Sequence, residues 1–235
     1  MSPQPLPELR QIVLMTSDLE GSLETIRSVL GVPRGVRDVE GMGALGFTHE
    51  VVGFDRTYIE VCEPRDPDSA IGRKTREQGD AGSMVAVQVQ DSAAMRARAA
   101  ELGLSPIVRK KRHGSLLTQW HPRDFGTMAE FDEFRPATSW HLAPEVYRAR
   151  STSLVRDIDA VQISVADPGS MAQRWATVIG GALCENGSSV NVGGRTIRFV
   201  DRPDRRGLRR VECRATKREQ AGATHLICGV EFALV

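Results

Sequence analysis

At 235 residues the chain can hold one large domain or two small ones, and either can bury a real core. Hydrophobic residues at 40% and charged residues at 26% are ordinary for a globular protein, and a net charge of +1 gives no support to a nucleic-acid partner. No apolar run approaches a membrane span, and residues 1–7 lack the basic and apolar regions of a signal peptide, so a cytoplasmic location is expected. Cys62, Cys184, Cys213 and Cys228 show neither CxxC spacing nor clustering, and are expected to be buried free thiols.

In chain order, the same local grammar appears three times. Val13-Leu14-Met15-Thr16 runs into Ser17-Asp18, an amphipathic stretch and Gly31. Val85 to Val89 runs into Asp91, a helical stretch and Gly103. Val161 to Val165 runs into Asp167, a helical stretch and Gly180. Each Asp precedes its Gly by 12 or 13 residues, and the units start 73 and 76 residues apart. Ser17 with Glu20 reads as a capping box, and Gly31 suits the left-handed residue that closes a helix. Asp167-Pro168 reads as a cap followed by proline at the first helical position.

Leu19, Leu23, Ile26 and Leu30 form one helical stripe. Met95, Ala99 and Leu102 form a second, and Met171, Trp175 and Val178 a third. All three are expected to pack on a sheet. After each helix come strand signals. These are Ala44 to Thr48, His49 to Val52 and Thr57 to Cys62; then Ile107 to Arg109, Leu116 to Trp120 and Thr127 to Phe134; then Ser189 to Val192 and Arg195 to Val200 around Gly193-Gly194. The pattern is β-α-β-β-β, an α+β fold. Strand character from Leu208 to Arg214 and from Thr224 to Val235, with no long helix, suggests a truncated fourth unit. Arg135 to Ser153 looks like a linker. The expected organisation is paired modules 1 and 2 over 8–135, a linker over 136–153, and module 3 with a degenerate fourth over 154–235.

This repeated unit resembles the vicinal oxygen chelate superfamily, which includes glyoxalase I, bleomycin-resistance proteins, extradiol dioxygenases and methylmalonyl-CoA epimerase. Tyr58-Ile59-Glu60-Val61-Cys62-Glu63-Pro64 is similar to the closing strand of a first module. His121-Pro122-Arg123-Asp124-Phe125-Gly126, followed by Met128-Ala129-Glu130-Phe131, is similar to the epimerase-like closing strand of a second. The resemblance implies mixed sheets curved into a cup that holds a ligand. It also implies a metal bound by the first and last strands of each module. Seven residues before each helix-cap Asp, where the family commonly carries histidine, stand Gln11, Met84 and Ala160. The matching carboxylates are Glu60 and Glu130.

The implied metal quartet is therefore Gln11, Glu60, Met84 and Glu130, without an imidazole. Transition metals in such sites favour histidine nitrogen with carboxylate oxygen, and a thioether is a poor ligand for a hard cation. Gln11, Glu60 and Glu130 could hold Mg²⁺ or Mn²⁺ weakly; the expectation is no cofactor. Dioxygenase and ordinary glyoxalase chemistry are disfavoured, because both need the metal. Glu60 and Glu130 in a partly apolar cup would have raised pKa values suited to moving a proton beside a carbonyl, or would be salt-bridged to arginines. His121 is a third catalytic candidate, as a base or rim contact, or else a turn residue.

The expected substrate contacts are Gln11, Tyr58, Met84, Gln88, Trp120 and Asp132, with packing the other role open to Trp120. His49, His113, His141 and His225 are scattered, without metal-ligand spacing. The basic runs Arg109 to Arg112 and Arg202 to Arg210 are solvated loops or a hold for a phosphate or CoA tail. The expected function is that of a glyoxalase-like protein acting on a small carbonyl-bearing molecule. It would be a metal-independent isomerase, epimerase or lyase that uses the cup carboxylates. The alternative is sequestration of a small molecule, as in bleomycin resistance. The expected partner is a small ligand, with neither nucleic acid nor membrane, and a homodimer is compatible.

Overall fold

The computed structural model describes residues 6–139 and 143–235; His141 and the first five residues lie outside them. The first repeat runs β1 (Glu8–Met15), α1 (Leu19–Leu30), α2 (Val39–Ala44), β2 (Phe47–Gly53) and β3 (Tyr58–Pro64), followed by α3 (Ala70–Gln78). The second is β4 (Ala81–Gln88), α4 (Ser92–Glu101), β5 (Val108–Arg112), β6 (Ser115–Trp120), α5 (Pro122–Phe125) and β7 (Met128–Glu133). After α6 (Pro144–Ala149), the third is β8 (Val155–Ser164), α7 (Pro168–Ile179), β9 (Ala182–Leu183), β10 (Ser189–Val192) and β11 (Arg195–Val200). The last is β12 (Gly207–Ala215), a single 3₁₀ turn at Arg218–Gln220, β13 (Thr224–Ile227) and β14 (Val230–Leu234). Among the described residues no helix is long and apolar enough to cross a membrane.

One pairing rule organises every repeat. The first strand runs parallel to the last (β1 with β3, β4 with β7, β8 with β11, β12 with β14), and the strands between pair antiparallel. A parallel pair needs a crossover. The helix supplies it three times, and the short turn in its place makes the fourth repeat the truncated one. The mixed sheets curl into half-barrels.

The chain divides into two compact units. Unit one comprises Met1–Arg10, Met84–Leu142 and Asp159–Arg209, and unit two comprises Gln11–Ser83, Ala143–Ile158 and Arg210–Val235. Unit one therefore carries most of repeats two and three, with strand orders β4-β7-β6-β5 and β8-β11-β10-β9. Unit two carries most of one and four, with β2-β3-β1 and β13-β14-β12.

In unit two the stripe Leu19, Leu23, Ile26 and Leu30 is wholly buried, and Gly31 closes α1 at φ 67°. In unit one an aromatic cluster forms the core. Trp175 meets the Phe125 and Phe131 rings edge to face at 5.5 and 5.3 Å, and its indole N–H donates to the Phe125 carbonyl at 3.0 Å.

Several local expectations change. The Ser17–Glu20 capping box does not form: Asp18 is the cap, accepting from the Gly21 N–H, and the Ser17 hydroxyl donates to Asp80. Residues 39–44 are helical, and Phe47–Gly53 is a single strand. Leu102 is 46% exposed and adds nothing to the core, because α4 ends one residue earlier. Arg109 to Arg112 belong to strand β5, whose partner is β6, so this basic run is not a loop. The stretch read as a linker contains α6.

Candidate functional site

In unit two, strand register assembles one polar cluster. Gln11 lies opposite Tyr58 on β3, Val51 opposite Glu60, and His49 opposite Cys62. The period of two places Gln11, His49, Tyr58, Glu60 and Cys62 on one face of the sheet, and Ile59 and Val61 on the face that α1 covers. Gln11 Nε2 donates to Glu60 Oε2 at 2.6 Å, and His49 Nδ1 lies 2.6 Å from Glu60 Oε1. The Asp38 backbone N–H donates to His49 Nε2 at 2.7 Å. With Nε2 accepting, Nδ1 carries the proton and donates to Glu60, which assigns the tautomer. Burial, then the adjacent Glu60 charge, pushes the Cys62 thiol far up, so it faces the carboxylate as a neutral weak donor.

His49 also lines a hollow of about 120 Å³ with Arg37, Asp38, Phe47 and Arg65. The Arg37 guanidinium is held by Glu20 and Glu50. Burial works against the Glu50 charge, but the Gly35 N–H, Arg27 and Arg37 together hold its carboxyl below the usual range.

In unit one a second cluster forms by the same geometry. Ala86 lies opposite Glu130 on β7, Gln88 opposite Asp132, and Gln119 on β6 opposite Glu130. Met84, Gln88, Gln119, Glu130 and Asp132 thus share a face. Gln119 Nε2 donates to Glu130 Oε2 at 2.7 Å. Asp132 is 2% exposed and hydrogen-bonds to Glu130. Burial first, then the Glu130 charge and that hydrogen bond, raise the Asp132 carboxyl well above its ordinary range. These causes favour the protonated form of Asp132 beside Glu130. The other oxygen, Asp132 Oδ1, is buried with no hydrogen-bond partner among the described residues.

Glu60 thus belongs to unit two and Glu130 to unit one, each with its own donors. The Gln88 amide accepts from Arg10 Nε at 2.8 Å and donates to the Ala137 carbonyl at 2.8 Å, so it braces the structure at both ends. Trp120 is not a ligand surface. It pairs with Ala129, on the face opposite Glu130, is completely buried against Phe125 and Phe131, and its N–H donates to Thr118 at 3.1 Å. His121 caps α5, its Nδ1 accepting from the Arg123 N–H at 3.1 Å, while the residue remains exposed. His49 and Gln119 are members that sequence spacing did not reveal. The available signal was strand pairing, which puts each beside a glutamate.

The donor set does not fit the family's metal. Gln11 directs its amide N–H₂ at Glu60, Met84 offers only a thioether, and the glutamates accept from neutral side chains. Among the described residues no three His, Cys, Asp or Glu side chains converge as a metal cluster.

No curated protein matches this sequence. Methylmalonyl-CoA epimerase from Mycobacterium tuberculosis is 21% identical, covering 59% of this chain and 97% of its own, with a TM-score of 0.47. A Streptomyces coelicolor methylmalonyl-CoA epimerase in complex with 2-nitronate-propionyl-CoA is 22% identical, covering 55% and 98%, at 0.46. Over nearly the whole length, a hypothetical protein from Staphylococcus aureus shares the fold at TM-score 0.69. It is 9% identical and covers 98% of this chain and 99% of its own. The family model of the glyoxalase-like domain matches residues 12–179. With four repeats obeying one pairing rule behind that match, the chain belongs to the glyoxalase-like domain family, within the vicinal oxygen chelate superfamily.

Proposed function

We propose that the chain is a metal-independent isomerase or epimerase, or a lyase, that moves a proton beside the carbonyl of a small organic molecule. One observation carries this: the buried, hydrogen-bonded Glu130–Asp132 pair, in which burial and the Glu130 charge favour the protonated form of Asp132. Two carboxyls whose environments separate their protonation states supply a base and an acid in one place. Glu130, oriented by Gln119, takes the proton from the carbon next to the carbonyl, and the C–H electron pair moves into an enolate. As Glu130 takes up the substrate proton, the Asp132 carboxyl turns its own proton from Glu130 to the developing oxyanion. Return of the proton by Glu130 to the neighbouring atom gives an isomer, and protonation of the opposite face by water, with Glu130 releasing its proton to solvent, gives an epimer. Expulsion of a leaving group from the enolate would give the lyase.

The alternative is sequestration without chemistry. The engaged state of Glu60 favours it, because both of its oxygens already accept hydrogen bonds from Gln11 and His49.

A panel of small 2-oxo acids, 2-hydroxy ketones and acyl thioesters incubated with the protein in D₂O tests the proposal, with NMR reading deuterium uptake at the acidic carbon. Catalysed exchange is expected for at least one class. Glu130→Gln should reduce it about 10²–10⁴-fold with folding intact. Saturable ligand binding without exchange would leave the sequestering function, and exchange untouched by Glu130→Gln would refute the role of the pair.

A further inference from the structure

Many arginines of this chain are held by acids. Arg27 and Arg37 pair with Glu50, Arg195 with Glu8, Arg206 with Asp201, and Arg210 with Glu231. Four cations of unit one differ. Arg96 on α4 and Arg109, Lys110 and Lys111 on β5 make no ion pair and no side-chain hydrogen bond among the described residues. All four line one hollow of about 320 Å³ between α4 and the β5–β6 hairpin, and among the described residues no acidic side chain lines it with them.

Like charges gathered in one concavity repel, and a concave wall of low dielectric concentrates their field. An edge strand such as β5 carries lysines to block sheet-to-sheet pairing, which accounts for a charged β5. It does not account for Arg96, which comes from a different element and turns a charged edge into a concave site. Arg109 and Lys111 lie opposite Thr118 and Leu116, on the Trp120 side of the sheet and away from Glu130, whereas Lys110 lies opposite Leu117, the partner of Asp132, on the other face. Arg109 and Lys111 thus approach the hollow from the side away from the proton-transfer pair. The size of the hollow is at the lower end of small-ligand sites, roughly 300–1,000 Å³.

We propose that this hollow binds a small phosphate-bearing anion of the diphosphate class, free or as part of a nucleoside diphosphate. One phosphate group carries about two negative charges, so the three cations Arg96, Arg109 and Lys111 match a diphosphate better than a monophosphate. The guanidinium groups of Arg96 and Arg109 offer forked donors to its oxygens.

Calorimetric titration of the full chain at low salt, with inorganic pyrophosphate and separately with ADP, tests this. Saturable binding at one site per chain is expected, with AMP and sulfate weaker by about tenfold or more, the worth of a single charge-assisted hydrogen bond. Equal affinity for pyrophosphate and ADP assigns the site to the diphosphate alone, and tighter ADP binding adds the nucleoside. Arg96→Gln, and separately Arg109→Gln with Lys111→Gln, should each weaken binding at least about tenfold without lowering the melting temperature. Arg218→Gln, in unit two, should leave it unchanged. Absence of saturable binding would overturn the proposal, as would equal weakening by Arg218→Gln. So would β5 variants that self-associate while binding the anion as before, since the charges would then serve only to guard the edge.

Discussion

Removing the titratable group at Asp132 should change how stability depends on pH, in a direction the structure dictates. The carboxyl is buried against Glu130, and its folded pKa is raised above the unfolded value. Between the ordinary aspartate pKa, about 3.9, and that raised value, the folded protein holds one more proton than the unfolded chain. Stability from this group is therefore fully present below the unfolded pKa and is lost as pH rises through the window to the folded pKa. The limiting slope for one proton is about 1.4 kcal/mol per pH unit. Asp132→Asn keeps the shape and can still donate to Glu130, but does not titrate. Urea unfolding of both proteins from about pH 4 to pH 8 should show the variant gaining on the wild type as pH rises, by up to that slope. A difference that stays flat across the range would refute the shared proton, and with it the acid half of the proposed mechanism.

Glu50 should behave in the opposite sense. Its carboxyl is held below the usual range, so the stability it contributes is present above the unfolded pKa and disappears as pH falls through the folded one; Glu50→Gln should destabilise at neutral pH and converge with the wild type in acid, read by urea melts. Trp175→Ala, which empties the centre of the unit-one aromatic cluster, should cost about 3–5 kcal/mol in the same assay. Gln11→His would set a second imidazole beside His49 and Glu60, and zinc affinity measured by chelator competition should rise over the wild type and fall again when His49→Ala is added.

What the amino-acid order determines alone is the repeat and its punctuation. Asp18, Asp91 and Asp167 cap their helices because a short carboxylate accepts from backbone N–H groups two or three residues ahead. Gly31 and Gly180 end theirs because the left-handed conformation carries no Cβ penalty there. These are local interactions, legible without any fold. Strand alternation is local too, and it set Glu130 and Asp132 on one face of β7, whereas Gln88 joins them only through the pairing of β4 with β7. The same alternation, carried through the β6–β7 register, turns Trp120 to the other face, but that register depends on how the residues between the strands close. His49 is hidden from a linear reading for the same reason: only the antiparallel pairing of β2 with β3 brings it to Glu60, eleven residues away in sequence. The upward shift of the Asp132 carboxyl is wholly a tertiary property. Burial decides it, and burial depends on what the rest of unit one packs around that strand, because the cost of a charge is set by the medium around it rather than by its neighbours in sequence.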